Sequence, residues 1–463
     1  MKKIFIFLFL FSLFSDIFAI SFNQDINIKL DNYLNEIVQA YKIPGLAFVL
    51  TDSDNTIFSN TYGQFENENQ QIFIGSESKS FTALSIMQLE EKGLINLDDD
   101  FTNYLSEYNF DKKVSIRNLL NQTSGFDNHA KLINFKMTES YGSYEYANVN
   151  YDLLGKIIEV VSGLSYDDYI SENIFIPLGM THSVANTKKA KNSPYLLKGN
   201  RNWFGFFVQG DADYPTERSW FFEPAGYIAS SLSDYSKYLR MYLKKGLSQN
   251  NERIIKEENI NRMWFESVNV YKESNQRYGM GFFSDIFMDN EVVYHPGQVE
   301  NSITYMMIFP KKKIAFSFMI NASDEFGTNQ LVQTALKDIY LIISGNDFGK
   351  VSHSLFFIRH LLLNLLYILI ISIGAFVLFK SIKIKKRNLI FQIIFCIFGY
   401  LIYPLFLLYC SQLFFLTPLW TVKLFVPDLF FVIVTSIILC CCGVILRIIN
   451  FFYISYKNRR RNK

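Results

Sequence analysis

The stretch Gly75-Ser76-Glu77-Ser78-Lys79-Ser80-Phe81-Thr82-Ala83-Leu84 decides how this chain is read. It follows a strand-like run and opens a pattern that predicts an amphipathic helix over Ser76–Lys92, with Gly93 as its stop signal. Ser76 and Lys79 are three residues apart, so they share one helical face and stand one turn from each other. A serine hydroxyl becomes a nucleophile only when a neighbour takes its proton, and a lysine at this spacing is placed to do so. The helix start adds unpaired backbone N–H groups and the positive end of the helix dipole. Ser78 and Ser80 have no lysine at the same spacing. Glu77 is expected to point away from the nucleophile's face.

On its own a serine–lysine pair is common; here two further motifs accompany it. Tyr146-Ala147-Asn148 precedes a predicted helix over Tyr151–Val161, and His295-Pro296-Gly297 precedes the strand-like run Ile303–Phe309. Asn121-Gln122-Thr123-Ser124-Gly125, Pro177-Leu178-Gly179-Met180 and Glu223-Pro224-Ala225-Gly226 stand between them. In this order and at these separations, residues 25–345 resemble the serine β-lactamase and penicillin-binding-protein superfamily. Within it they look most like the class C β-lactamase branch, with its D,D-peptidases and esterases.

The resemblance implies a role for each motif. Ser76 would form an acyl-enzyme with an amide, ester or lactam carbonyl, which water then hydrolyses. Lys79 and Tyr146 would share the proton relay, and which of them is the formal base stays open. A phenol with an ordinary pKa of ~10 is a poor base, but a lysine ammonium beside it would favour the phenolate. Asn148 would position substrate and lysine. His295 occupies the place of the lysine in the family's Lys-Thr-Gly motif, and would hydrogen-bond tyrosine or substrate while carrying part of a positive charge. Gly297 would let the substrate backbone approach, and the N–H of Gln298 would join that of Ser76 in an oxyanion hole. Pro296 departs from the pattern: it replaces the usual hydroxyl residue and lacks a backbone N–H, which puts recognition of a free carboxylate in doubt.

Composition separates the 463 residues into parts. Lys2-Lys3, the apolar run Ile4–Phe14 and Ala19 form the pattern of a secretory signal peptide over residues 1–19. Residues 22–345 alternate helical and strand-like stretches, among them Gly45–Thr51, Thr56–Tyr62, Glu291–Tyr294, Lys313–Ile320 and a closing helix from Gly327 to Ile343. Strands at both ends with helices between predict an α/β (α+β) fold, an antiparallel sheet flanked by helices plus a helical subdomain. The β-lactamase/transpeptidase-like fold is what the resemblance implies independently. Three apolar runs follow, at 355–379, 389–415 and 424–449, each long enough to cross a bilayer, and residues 450–463 form a basic tail.

Formal net charge is +2, but Lys380, Lys383, Lys385, Lys386 and Arg387 carry five positive charges and Lys457, Arg459, Arg460, Arg461 and Lys463 another five. Removing these ten leaves −8 for everything else, which argues against a nucleic-acid partner. If the first domain is exported, both basic clusters fall on the cytoplasmic face, as the positive-inside rule requires. All five cysteines lie in the apolar third, and the five histidines are scattered without metal-ligand spacing, so neither a disulfide framework nor a metal or other cofactor is expected.

The sequence therefore predicts a multi-pass, membrane-anchored extracytoplasmic serine hydrolase with a cytoplasmic C-terminus. Its substrates would be D-amino-acid peptides or related amides and esters, including peptidoglycan fragments. A carboxylesterase is the alternative within enzymes. A non-catalytic sensor or scaffold with a penicillin-binding fold is the alternative outside them. A transporter is disfavoured because the apolar runs carry few charges, Asp428 being the main one.

Overall fold

The computed structural model describes residues 25–216, 219–382 and 389–461. The signal segment 1–19 lies outside these residues, as do Lys383, Lys385, Lys386, Arg387 and Lys463 of the basic clusters. The chain divides into two compact bodies. The first comprises the residues up to Asn200, Gln209–Ser323 and Leu331–Val351; the second comprises Arg201–Val208, Asp324–Gln330 and Ser352 onward.

In the first body, helix α1 (25–40) leads into the hairpin β1 (Gly45–Asp52) and β2 (Thr56–Gly63). Asp52 closes their turn by accepting the N–H groups of Asp54 and Asn55 at 2.7 and 2.6 Å. Next come β3 (Gln71–Phe73), a single 3₁₀ turn at Gly75–Glu77, α2 (Ser78–Glu91) and α3 (Asn148–Ser162). A short hairpin, β4 (Gly199–Trp203) and β5 (Phe206–Gly210), whose residues Arg201–Val208 belong to the second body, precedes β6 (Ala229–Ser231) and α4 (Leu232–Leu243) of the first. The chain then runs through β7 (Val268–Asn269), β8 (Arg277–Tyr278), β9 (Phe283–Phe287), β10 (Asn290–Val299), β11 (Ser302–Phe309), β12 (Ile314–Ile320), β13 (Ala322–Ser323) and α5 (Thr328–Ile343).

The main sheet has eight strands in the order β2-β1-β12-β11-β10-β9-β8-β7. Neighbouring strands pair antiparallel, so strands from the two ends of the sheet's sequence meet where β1 pairs with β12. Every residue of the central strand β11 is buried because both faces are covered. The Tyr235 hydroxyl on α4 reaches the Met306 sulfur at 3.3 Å, whereas Tyr340 on α5 stacks on Phe309 with ring centroids 5.4 Å apart. Met306 and Phe309 are an odd number of residues apart, so the two helices lie on opposite faces of the strand.

Two expectations change. β10 does not stop at Tyr294 but continues through His295-Pro296-Gly297 to Val299. Its partner β9 pairs with it only from Asn290 to Tyr294, so beyond that point β10 is held by β11 alone within the sheet. A proline without an N–H is tolerated on such a one-sided stretch. Helix α2 is also not amphipathic, since every residue from Ser78 to Gln88 is buried. Its polar side chains mimic a solvent face but bond inside the protein: Ser80 to the Glu77 carbonyl at 2.7 Å, Thr82 to the Pro224 carbonyl at 2.7 Å and Ser85 to the Phe81 carbonyl at 2.9 Å.

Glu77, at the start of this helix, is 0% exposed. Burial pushes its carboxyl up to about 8, against the opposing influence of the Tyr235 and Thr304 hydroxyls and the Met306 amide. The group is therefore a neutral acid at pH 7, wedged between the Ser76 turn, α4 and β11.

The second body contains three apolar helices, Leu355–Ile382, Ile390–Leu413 and Pro427–Ile454, of 28, 24 and 28 residues with mean hydropathy 2.6, 2.3 and 3.0. By length and composition each suffices to cross a membrane. The third starts at Pro427, later than the predicted 424, because Leu419–Phe425 forms a short helix of its own. The second carries a π turn at Phe398–Ile402, just before Pro404. First and third helices approach closely at Gly374, where an added Cβ would lie 2.6 Å from the Ser436 hydroxyl oxygen.

Two stability predictions follow from the first body. On α3, a Cβ at Gly155 would lie 2.3 Å from Pro224 Cγ, a ring that cannot rotate away. Gly155→Ala should therefore lower the thermal midpoint, overpacking of about 1–3 kcal/mol exceeding the gain of about 1 kcal/mol in helix propensity. An unchanged or raised midpoint would refute the contact. Glu77 binds its proton more tightly folded than unfolded, so its contribution favours the folded state below its unfolded value of 4.5 and is lost as pH rises through about 8. Thermal melts at pH 5 and 8 should show Glu77→Gln gaining on the wild type as pH rises; a constant difference between the two proteins would contradict this.

Candidate active site

Glycines allow the turn that carries Ser76 to touch strand β10. Gly75 has φ +55°, and a Cβ there would lie 2.1 Å from the backbone nitrogen of Gln298. A Cβ at Gly297 would lie 2.0 Å from the Ile74 carbonyl oxygen and 2.3 Å from the Thr304 hydroxyl. Gly75 and Gly297 thus bring Ser76 against the one-sided stretch of β10. Gln298 pairs with Ile303 across the sheet, and its side-chain amide donates to the Ser323 hydroxyl at 3.1 Å.

Lys79 is the centre of the cluster and is 0% exposed. Its Nζ lies 3.0 Å from Ser76 Oγ, 2.7 Å from Asn148 Oδ1 and 2.6 Å from the Ala225 carbonyl oxygen. Three acceptors match the three protons of an ammonium, and burial still pushes Lys79 down to about 7. Asp152 opposes that shift only when ionised, and burial pushes its own carboxyl up to about 8. At neutral pH a substantial share of Lys79 is therefore uncharged and able to receive the Ser76 proton.

Tyr146 hydrogen-bonds Ser76, and Lys79 Nζ lies 4.9 Å from the centre of its ring. Contrary to the sequence expectation, the phenolate is not favoured: burial raises the Tyr146 pKa well above its ordinary value, and the Ser76 bond offsets only part of this. Tyr146 enters the site as a neutral phenol able to pass a proton on. Asn148 begins α3, three residues before the predicted helix start, so its amide projects from a helix N-terminus onto Lys79. Gln122, held at φ +58°, fixes this segment: its Oε1 accepts the Ala147 N–H at 3.0 Å and the Asn150 amide at 2.6 Å.

His295 is 1% exposed. Its Nδ1 lies 2.7 Å from the Pro296 carbonyl oxygen, which can only accept, so Nδ1 carries the proton and Nε2 presents a lone pair. Burial first, and the nearby Lys79 second, push its pKa down to about 3, so the ring is neutral. The expected partial positive charge is absent, because a second cation cannot be accommodated beside Lys79 in so dry a site. Nε2 has no hydrogen-bond partner among the described residues.

The structure thus brings together Ser76, Lys79, Tyr146, Asn148, His295, Gly297 and Gln298. Two contributors went unassigned in the sequence. The Ala225 carbonyl is main chain and leaves no side-chain signature, although Glu223-Pro224-Ala225-Gly226 stood out as a landmark. Asp152 lies one helical turn after Asn148 and so shares its face, a spacing that was available to be read. No group of three or more potential metal ligands occurs among the described residues.

A family model described as Beta-lactamase matches residues 30–339. Protein flp of Staphylococcus aureus (strain N315) is 23% identical over 336 residues, 64% of this chain and 64% of that protein. The chain therefore spans just under two-thirds of that relative's length. Among solved structures, the octameric penicillin-binding protein homologue from Pyrococcus abyssi is 26% identical with a TM-score of 0.58, over 69% of this chain and 77% of that one. A D-stereospecific amidohydrolase from Streptomyces sp. shares the fold at 21% identity and a TM-score of 0.54, over 65% of this chain and 96% of that one. With the serine–lysine–tyrosine cluster seated beside strand β10 of an antiparallel sheet and the family match running through most of the chain, this protein belongs to the Beta-lactamase family.

Proposed function

We propose that this protein is a membrane-anchored serine hydrolase that acts through an acyl-enzyme on D-amino-acid peptides or related amides and esters. The observation that carries the reading is the 3.0 Å contact between Lys79 Nζ and Ser76 Oγ, made by a lysine that burial has pushed down to about 7. Uncharged Nζ accepts the Ser76 proton as Oγ bonds to the substrate carbonyl carbon. The carbonyl oxygen takes up the negative charge, facing the N–H groups of Ser76 and Gln298. Tyr146 relays a proton to the leaving amine or alkoxide as the carbon–heteroatom bond breaks. Water then attacks the ester formed on Ser76 and gives up its proton through the same pair, which restores the serine.

The third motif bears on the substrate. Neutral His295 and Pro296 offer no cation and no hydroxyl for a free carboxylate. This disfavours a substrate held by a C-terminal carboxylate. The fold shared with a D-stereospecific amidohydrolase is in keeping with this. Cell-wall peptides supply such bonds outside the cell, and the signal-like N-terminus with the basic residues after the apolar runs supports an extracytoplasmic catalytic domain and a cytoplasmic C-terminus.

Intact-mass spectrometry of the full chain in detergent, treated with a β-lactam or an acyl-phosphonate probe, should give an adduct that Ser76→Ala lacks. Folded wild type that takes up no probe would move the protein to the sensor reading. The acylation rate should rise with pH along a limb centred near 7, because only uncharged Lys79 accepts the proton. Lys79→Arg should lower the rate about 10²–10⁴-fold and abolish that limb. A flat profile in the wild type would remove Lys79 as the base.

A further inference from the structure

We propose that the turn between β4 and β5 is a lipid-contacting element that inserts beside the first apolar helix; this rests on reading that helix as a membrane span. Residues 202–209, Asn-Trp-Phe-Gly-Phe-Phe-Val-Gln, contain no charge. Phe206 and Val208 are 74% and 51% exposed. Such aromatic exposure on a tight hairpin is unfavourable in water and favourable against acyl chains.

The hairpin's neighbours place it at membrane level. The Phe204 ring meets Tyr367 edge-on at 5.9 Å, and Phe207 stacks on Phe356 at 6.2 Å. At ~1.5 Å per residue, Tyr367 lies about 18 Å along the helix from Leu355. Around it, Leu361, Leu362 and Leu365 are exposed as a lipid-facing surface would be.

The backbone accounting gives the second argument. A turn that enters hydrocarbon must have its N–H and C=O groups satisfied by protein, since no water is present to do it. Asp428 accepts the Phe204 N–H at 3.1 Å, and the Asn364 side chain donates to the Phe204 carbonyl at 3.0 Å. Asn202 accepts the Gly205 N–H at 2.9 Å. Polar side chains are rare inside spans and need a reason. Here Asn364 and Asp428 serve both polar groups of one turn residue.

The turn is built for close seating. Phe204 at φ 56° and Gly205 at φ 91° form a two-residue turn of the left-handed kind that suits a hairpin. A Cβ at Gly205 would lie 3.2 Å from that of His360. His360 is in turn tied to Asp324 at 3.0 Å, and Asn202 donates to the same Asp324 oxygen at 3.2 Å.

The test uses full-length protein in phosphatidylglycerol–phosphatidylethanolamine vesicles, with p-benzoylphenylalanine introduced in place of Phe206 or, separately, of Leu365. Both sites are exposed, so neither replacement disturbs packing. Irradiation should yield lipid adducts at both positions in comparable yield, read by mass spectrometry of the labelled peptide. Lipid adducts at 365 with loss of the adduct at 206 would overturn the hairpin proposal and leave the span intact. Cross-links from 206 to a second copy of the chain would also overturn it, in favour of a protein interface. No lipid adduct at either position would remove the span reading together with the proposal.

Discussion

The structure of the site depends on burying one lysine. Lys79 has 0% exposure, and an ammonium removed from water costs several kcal/mol unless its protons are met. The three acceptors come from three distant stretches of chain: Ser76 on its own turn, Asn148 at the start of α3 and the carbonyl of Ala225. The Ser76–Lys79 and Tyr146–Asn148 motifs and the Glu223–Gly226 stretch are therefore held to one another by the same nitrogen. The arrangement is satisfied yet dry, and it is this balance that brings the lysine into the range where it can exchange a proton at neutral pH.

A steric constraint accompanies the electrostatic one. Gly75 and Gly297 mark the places where the Ser76 turn and strand β10 leave no room for a side chain. Beneath the same contact lie Thr304, whose hydroxyl donates to the Ile74 carbonyl at 2.8 Å, and the protonated Glu77. Ser76 is thus set on a packed platform, the positional constraint that the proposed role of its hydroxyl requires.

Much of this was legible in the sequence, and for identifiable reasons. Ser76 and Lys79 declare themselves by helical spacing, and β1, β2, β11 and β12 by their β-branched and aromatic content. What was misread depends on the interior. The hydroxyls of Ser80, Thr82 and Ser85 look like a solvent face until their carbonyl partners are seen. Tyr146 and His295 looked ready to carry charge, but charge in that pocket is decided by burial, which no local pattern reveals. The β4–β5 hairpin escaped notice because its turn is Phe204-Gly205, where a hairpin is usually announced by Asn-Gly or Asp-Gly.

The one-sided stretch of β10 has a further consequence. A strand held on one side offers its main-chain groups to any extended peptide, including a strand from another molecule. In strand-adding complexes a peptide is recognised along such an edge. Pro296 is exposed there and contributes no N–H. It leaves the neighbouring groups of Gly297 and Gln298 able to engage a short chain while interrupting the ladder that a longer one would need. The residue that departs from the family's usual motif thus limits how far another strand could extend the ladder along this stretch.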